Sequence, residues 1–543
     1  MFKKHFLLLL ILLLATFLRF WQLGEIPSGV HTDEADTGYS AYSLLKTGLD
    51  PHGEFNLFVL ADSNTGGTHP PIYTYLLMPF IKSFGLNIFV ERLPSAILGS
   101  LTVLIVFFIV NKLFKSIALS NVVTFLFAVN PWALHISRQG LLAEESLFFV
   151  LFGIVLFLYS DKKKYFLIFS AIFFGISLYA YDAPKIFLPP FLLFLFYFYR
   201  KVLLKAKKFF LIFILIFALF YISVIYFTFM QGGIADYSRS SVFNSKNIVK
   251  SVNTERFLTN APLWLSRIYH NKFTVSLKNF ETSYTSIFSI NWFFVNGSGN
   301  LQRAIGNHGQ FFLFEFPFFF IGIYLILRKN TQLELFLLAW MFLGALAGGL
   351  TTGNYVYRSV HILPIPIIFS SLGIVWVWKL LGKKNSIRNI SVKLLIIVLM
   401  IIYISSYLFT YFFDYPIYAS EYWSKQQNDA IKFAIENKNK YEKIFIDGGE
   451  PWVIGYAFFN KTDPLVYQNA YKNRENFKGI SVIKFNDIYF GMFDLESVEE
   501  SSDFFPKNSL VITTNANFSK VREFKSFYDP GQIRAVFKAF EVK

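Results

Sequence analysis

Long apolar runs broken by short polar connectors dominate this chain, and their length is the first thing that predicts structure. Taking apolar runs of about 17 to 23 residues as able to cross a bilayer predicts helices near 6–22, 93–114, 117–135, 143–160, 165–181, 185–200, 208–230, 311–328, 333–350, 360–381 and 391–412. That makes about eleven spans. Basic residues test the count by falling on one face of the membrane: Lys3/Lys4, Lys112/Lys115, Lys162 to Lys164, Arg200/Lys201/Lys205/Lys207/Lys208, Arg328/Lys329 and Lys383/Lys384/Arg388 do so. An odd number of spans then leaves the N-terminus inside and the C-terminus outside. Ala15-Thr16-Phe17-Leu18-Arg19 offers no small-residue cleavage pattern, so the first helix reads as uncleaved. The run from Pro70 to Leu86 is apolar but short and proline-broken. It predicts an interfacial helix, because counting it as a span would reverse the charge alternation downstream.

The opposite face collects the polar loops: 23–92, 136–142, 182–184, 231–310, 351–359 and everything after 412. Loop 231–310 is too long for a plain connector and holds Trp264 and Trp292. It predicts a cap or a pair of amphipathic helices lying on the membrane. After Tyr411 the pattern shortens. A polar helical stretch from Glu421 to Glu436 is followed by strand-like runs Lys443 to Asp447, Ser509 to Thr514 and Ala535 to Phe540. The domain reading is a membrane module of residues 1–412 and a small external α/β domain of residues 415–543.

Composition agrees with the bilayer as solvent: 54% of the 543 residues are hydrophobic and 69 are Phe. The net charge of +16 sits in short clusters between apolar runs and makes no continuous basic face, which excludes a nucleic-acid partner and suits an anionic leaflet. With no cysteine, the chain has no disulfide, thiolate nucleophile or cysteine metal site.

Chemistry concentrates just behind the first span, in Gly29-Val30-His31-Thr32-Asp33-Glu34-Ala35-Asp36. These acids open an amphipathic helix running to Leu45, and neighbours on a helix diverge by about 100°, so Asp33 and Glu34 face different surroundings. One can face a cavity while the other holds the local network. A structural reading stands beside this: Asp33 or Thr32 caps the helix, and the helix dipole favours the acids. A second cluster runs Asn130-Pro131-Trp132 to Arg138, then Glu144-Glu145. Its plain alternative is an interfacial aromatic belt with a snorkelling arginine. Lys185, after Tyr181-Asp182, and Arg358 and His361, after Asn354 to Tyr357, stand at the outer ends of their helices. Cations there imply an anion, for which phosphate is the obvious group, or plain anchoring to lipid headgroups. Glu91-Arg92 reads as a local ion pair, and His69 has no partner at metal-ligand spacing.

The order of these pieces resembles the C-type glycosyltransferases: first helix, Asp33-Glu34 loop, His69-Pro70-Pro71, Glu91-Arg92-Leu93-Pro94, a positive outer cluster and late Tyr357-Arg358. Within them it is similar to the family of protein O-mannosyltransferases and aminoarabinose transferases, over residues 1–200 and more thinly over 300–370. The resemblance implies an α-helical polytopic membrane enzyme of the plasma membrane. It would move a sugar, with inversion, from a polyprenyl-phosphate carrier to a protein, lipid or glycan acceptor on the extracytoplasmic face. Loop 23–92 becomes the catalytic loop, with Asp33 and Glu34 as catalytic acids. The binding set it implies is Asp36, His69, Arg92, Arg138, Glu144, Glu145, Tyr181, Lys185, Tyr357, Arg358 and His361. A divalent metal is optional, since side-chain cations can take a departing monophosphate. The D-x-D and Trp-Trp-Asp motifs of the oligosaccharyltransferase branch are missing, and Glu144-Glu145 stand where related enzymes often have an Asp. A flippase or transporter of a lipid-linked saccharide is the alternative. Access from both faces would then be needed, whereas the polar residues collect on one.

Overall fold

The computed structural model describes residues 2–62, 67–230, 241–329, 331–352, 355–382, 386–493, 504–514, 522–531 and 534–542. Lys383 and Lys384 of the charge pattern, Asn354 and the 231–240 part of the long loop lie outside the described residues. Two compact units form. One comprises residues 1–19, 96–137 and 142–408; the other comprises 20–95, 138–141 and 409–543.

Every apolar run counted above is helical: Phe2–Phe20, Ile88–Phe114, Ile117–Val129, Ala143–Leu158, Phe166–Ala180, Ala183–Lys205, Lys207–Met230, Glu315–Lys329, Gln332–Gly344, Pro364–Gly382 and Ile387–Phe409. Among the described residues, seven helices are long and apolar enough to cross a membrane, fewer than the eleven expected. His5–Phe20, Ile117–Val129 and Phe166–Ala180 are apolar but shorter. The expected 117–135 helix is really two. Pro131 has no N–H to continue the ladder, and the Asn130 side chain instead caps a new short helix, Pro131–Ile136, by accepting from Ala133 N at 3.0 Å. The 70–86 run is the helix Ile72–Phe84.

Small residues let these helices close up in the first unit. A Cβ on Gly322 would strike the Phe369 carbonyl oxygen, and one on Gly373 the Phe318 carbonyl oxygen, so Glu315–Lys329 and Pro364–Gly382 meet backbone to backbone at two reciprocal points. Gly153 and Gly175 give the same room to aromatic rings, those of Phe174 and Phe220. Glycine placement is thus how a phenylalanine-rich bundle is made to fit.

In the second unit the helix Thr32–Thr47 packs against Ile72–Phe84 and against two helices of the C-terminal segment, Glu450–Asn460 and Pro464–Lys472. The catalytic-loop candidate 23–92 therefore folds together with the tail. Tyr39 donates to the Thr462 carbonyl (2.9 Å), and Val30 N donates to Asn428 Oδ1 (2.7 Å). The tail holds a seven-stranded mixed sheet in the order 475–477, 480–485, 488–491, 443–447, 509–513, 535–542, 522–528. Its strand Lys443–Asp447 runs parallel to both neighbours. The three strands expected from the sequence are among these. Ile488–Gly491, missed in the sequence, is only four residues long and fully buried, so it shows no alternation.

Substituting Val for Gly322 or Gly373 should cost about 1–3 kcal/mol by forcing the two helices apart. A thermal-unfolding profile of the detergent-solubilised protein checks this, with Gly299→Val, where the space is open, as the neutral comparison.

Candidate functional site

Glu34 and Arg92 anchor the acidic loop in the second unit. Both side chains are wholly buried, and Arg92 meets Glu34 two-pronged, through Nε (2.9 Å) and Nη2 (2.8 Å). The rest of the guanidinium donates to the carbonyls of Pro27 (2.7 Å), Gly29 (2.7 Å) and Leu23 (3.4 Å), and its face lies 5.4 Å from the Trp423 ring. The expected Glu91–Arg92 pair does not form, because a bidentate buried partner for Arg92 outcompetes a helix neighbour pointing elsewhere. Glu34 also accepts from Gly140 N (2.8 Å) and from His31 N (3.1 Å). Its oxygens are committed to holding the loop.

Capping differs from the expectation too. His31, not Thr32 or Asp33, caps the helix: its ring nitrogen Nδ1 accepts from Asp33 N at 3.2 Å, and Glu34 closes the reciprocal half of the box. Asp33 is thereby released outward. Its side chain is 52% exposed, with Oδ2 at 3.5 Å from His31 Nδ1, at the positive end of the helix dipole.

Glu91 sits beneath the same helix and accepts from Thr37 (3.1 Å). A Cβ on Gly38 or Gly140 would come within 2.5 or 2.6 Å of its carboxylate oxygens, so a side chain at either point would push the Glu91 carboxylate aside. Asp36 is buried, with Oδ2 at 3.8 Å from His69 Nε2. The His69 Nδ1–H donates to the Pro70 carbonyl (3.1 Å), and burial pushes the imidazole below its usual pKa against the opposing pull of Asp62 and Asp33. Among the described residues no three of His, Asp and Glu gather as a metal-binding group. Arg138, expected on an anion, donates to the carbonyls of Trp21 (2.7 Å), Ile26 (3.0 Å) and Gln22 (3.4 Å), with Phe412 and Tyr411 against its face. Two buried arginines therefore clamp the carbonyls of residues 21–29.

The first unit holds a separate polar cluster. Lys185 donates to Asp182 (2.6 Å), and Arg358 hydrogen-bonds Tyr181. Burial would lift the Asp182 carboxyl, but the Lys185 ammonium and then the Arg358 guanidinium hold it below its ordinary value. Arg303 joins from the long loop, with its guanidinium 5.9 Å from the Tyr357 ring. The Gln302 carbonyl next to it accepts from Tyr357 (2.9 Å) and from the His135 ring (2.9 Å). Lys185 and Arg358 thus act on the Asp182 carboxylate, while Arg358 and Arg303 act on the Tyr181 hydroxyl. Arg303 was missed in the sequence, where a single arginine in a polar loop carries no signal.

His361, expected in the binding set, is buried among helices. Its ring is stacked 5.0 Å from Phe187 and bonded to Ser146 (3.2 Å), and its carbonyl accepts from Trp340 (2.8 Å), wholly inside the helix core. Glu144 accepts from Thr102 (2.9 Å) and is likewise buried, as is Glu145 beside it.

Comparison with known proteins shows what this arrangement is similar to. Residues 68–227 match the family described as dolichyl-phosphate-mannose-protein mannosyltransferase. The chain superposes on ArnT from Cupriavidus metallidurans bound to undecaprenyl phosphate with a TM-score of 0.54, at 10% identity, over 98% of each chain. The fold is that of the C-type glycosyltransferases. The archaeal oligosaccharyltransferase AglB from Archaeoglobus fulgidus, in complex with an inhibitory peptide and a dolichol-phosphate, matches with a TM-score of 0.51 at 15% identity. This chain is covered over 84% there and spans only 64% of AglB. No curated protein sequence matches. With this C-type fold and its seven long apolar helices, the chain is a multi-pass membrane protein.

Two outcomes follow for the loop. Arg92→Ala leaves Glu34 buried without its partner and should cost about 3–5 kcal/mol, measured as a drop in unfolding temperature, while Glu34→Ala with Arg92→Ala should recover part of it. His69 stays neutral when folded but takes a proton near its usual pKa when unfolded. Stability should therefore fall as pH drops below about 6.5. The slope should shrink in His69→Gln, read by unfolding temperature against pH.

Proposed function

We propose that this protein is a membrane glycosyltransferase that moves a sugar from a polyprenyl-phosphate donor to a hydroxyl-bearing acceptor on the extracytoplasmic face, with inversion. The observation that carries the reading is the first unit's polar cluster, in which Lys185 bonds Asp182, Arg358 bonds Tyr181 and acts on Asp182, and Arg303 lies 5.9 Å from the Tyr357 ring. Such a set is suited to the phosphate of a lipid carrier. The family match over 68–227 and the C-type fold support the same class of donor, since the relatives are described with dolichol-phosphate and undecaprenyl phosphate.

In the proposed reaction the acceptor oxygen attacks the anomeric carbon as the bond from that carbon to the phosphate oxygen breaks. The bonding pair leaves with the lipid phosphate, which gains negative charge, and Arg303, Arg358 and Lys185 stabilise it. A base must take the acceptor proton, and Asp33, whose side chain is 52% exposed, is the acid proposed for it from the resemblance of its loop. Glu34 becomes a positioning residue: with Arg92 it sets the direction in which Asp33 points. Sugar and acceptor recognition fall to the remaining polar side chains of the loop, Asp36 and His69 among them.

Asp33→Asn should lower transfer by about 10²- to 10⁴-fold while donor binding persists. Release of lipid phosphate from a polyprenyl-phosphate sugar, followed together with donor binding in purified protein, is the measurement. A transporter of the same lipid would keep its flux in that variant, which separates the two readings. Arg358→Ala should instead weaken binding of the polyprenyl phosphate itself.

A further inference from the structure

Residues 245–286 of the first unit form a hairpin whose exposed edge has the composition of a core. Its helices are Ser245–Phe257, Leu263–Tyr269 and Lys272–Ser286, and only Ile248, Val252 and Val275 make a small core between them. Both ends are tied down. Val242 N donates to the Leu350 carbonyl (3.1 Å), and the Tyr284 hydroxyl donates to the Phe342 carbonyl (2.8 Å). Phe342 lies within the apolar helix Gln332–Gly349 and Leu350 directly after it, so the hairpin is rooted on a candidate spanning helix. At the far end the usual burial is inverted: Phe257 is 87% exposed, Leu258 75%, Trp264 66% and Phe273 75%.

Next to this edge runs a groove of about 700 Å³ lined by Lys246, Lys250 and Lys272 with Ser245, Asn253 and Thr254. No carboxylate lines it. The nearby Glu255 is engaged by Lys278 (3.0 Å) and His270 (2.9 Å). An apolar edge of this extent facing water would be an aggregation hazard, whereas aromatic and aliphatic side chains flanked by unneutralised lysines are the make-up of a segment lying in a bilayer interface. We propose that residues 257–273 insert into the lipid interface and that the lysine groove seats the phosphate groups of anionic lipids. The hairpin thus acts as a lipid-sensing anchor for the long loop that carries Arg303. This stands on the hairpin alone and does not depend on the transferase reading.

The chain has no cysteine, so full-length protein accepts single labels cleanly. Phe257→Cys and Phe273→Cys, each labelled with an environment-sensitive fluorophore, would be reconstituted in phosphatidylcholine vesicles with and without phosphatidylglycerol. Insertion should make the label quenchable by nitroxide on lipid acyl chains and shield it from aqueous iodide, more strongly with phosphatidylglycerol present. Replacing Lys246, Lys250 and Lys272 together by Gln should abolish that excess. Labels open to iodide would overturn the proposal. So would labels shielded from both quenchers, which would mean that protein covers the edge, or an excess that survives in the triple variant.

Discussion

The buried ion pair of Arg92 with Glu34 is the constraint on which the acidic loop depends. A charge removed from water is tolerated only when its partners are complete, and here each group is saturated: Arg92 by a bidentate carboxylate and three carbonyls, Glu34 by the guanidinium and two backbone amides. Such a contact is strongly directional. It fixes the chain from Leu23 to Gly29 and the start of the helix at Thr32 at the same time, and Arg138 repeats the device on the carbonyls of Trp21, Gln22 and Ile26. Gly29, at φ 83°, is part of the same arrangement, since a Cβ there would meet the Trp423 carbonyl at 2.5 Å.

This division of labour changes what the charged residues mean. Arginines that would be read as anion ligands are spent on carbonyls, and one of two adjacent acids is spent on an arginine. Asp33 is half exposed, because helix geometry turns it away from Glu34 and because His31 has taken over the cap. In the other unit Lys185 and Arg358 act on Asp182, and Arg358 and Arg303 on Tyr181, so cations there are grouped with acid and phenol groups instead of carbonyls.

Membrane residence imposes the remaining features. Within lipid there is no hydrophobic gain from bringing helices together, so close contact must come from shape, and Gly322 and Gly373 supply it by admitting a carbonyl where any side chain would clash. Phenylalanine rings seated over Gly153 and Gly175 follow the same rule.

Much of this was readable along the chain, because what sets it is local. Apolar runs are helical wherever they were counted, since a backbone in lipid has no other way to satisfy its amides, and the acids behind the first span are where the polar pattern puts them. Span number was less legible: Ile117–Val129 stops at Asn130-Pro131, and length decides crossing. Partnership was not legible at all. The choice of Glu34 over Glu91 for Arg92, the burial of His361 against Phe187, and the arrival of Arg303 beside Tyr357 each join residues far apart in sequence or pick between neighbours by direction alone. Periodicity and charge order state which residue types are present and on which side of a helix. Distances between segments, and therefore which charges neutralise one another and which are left to act, arise only when the chain has folded.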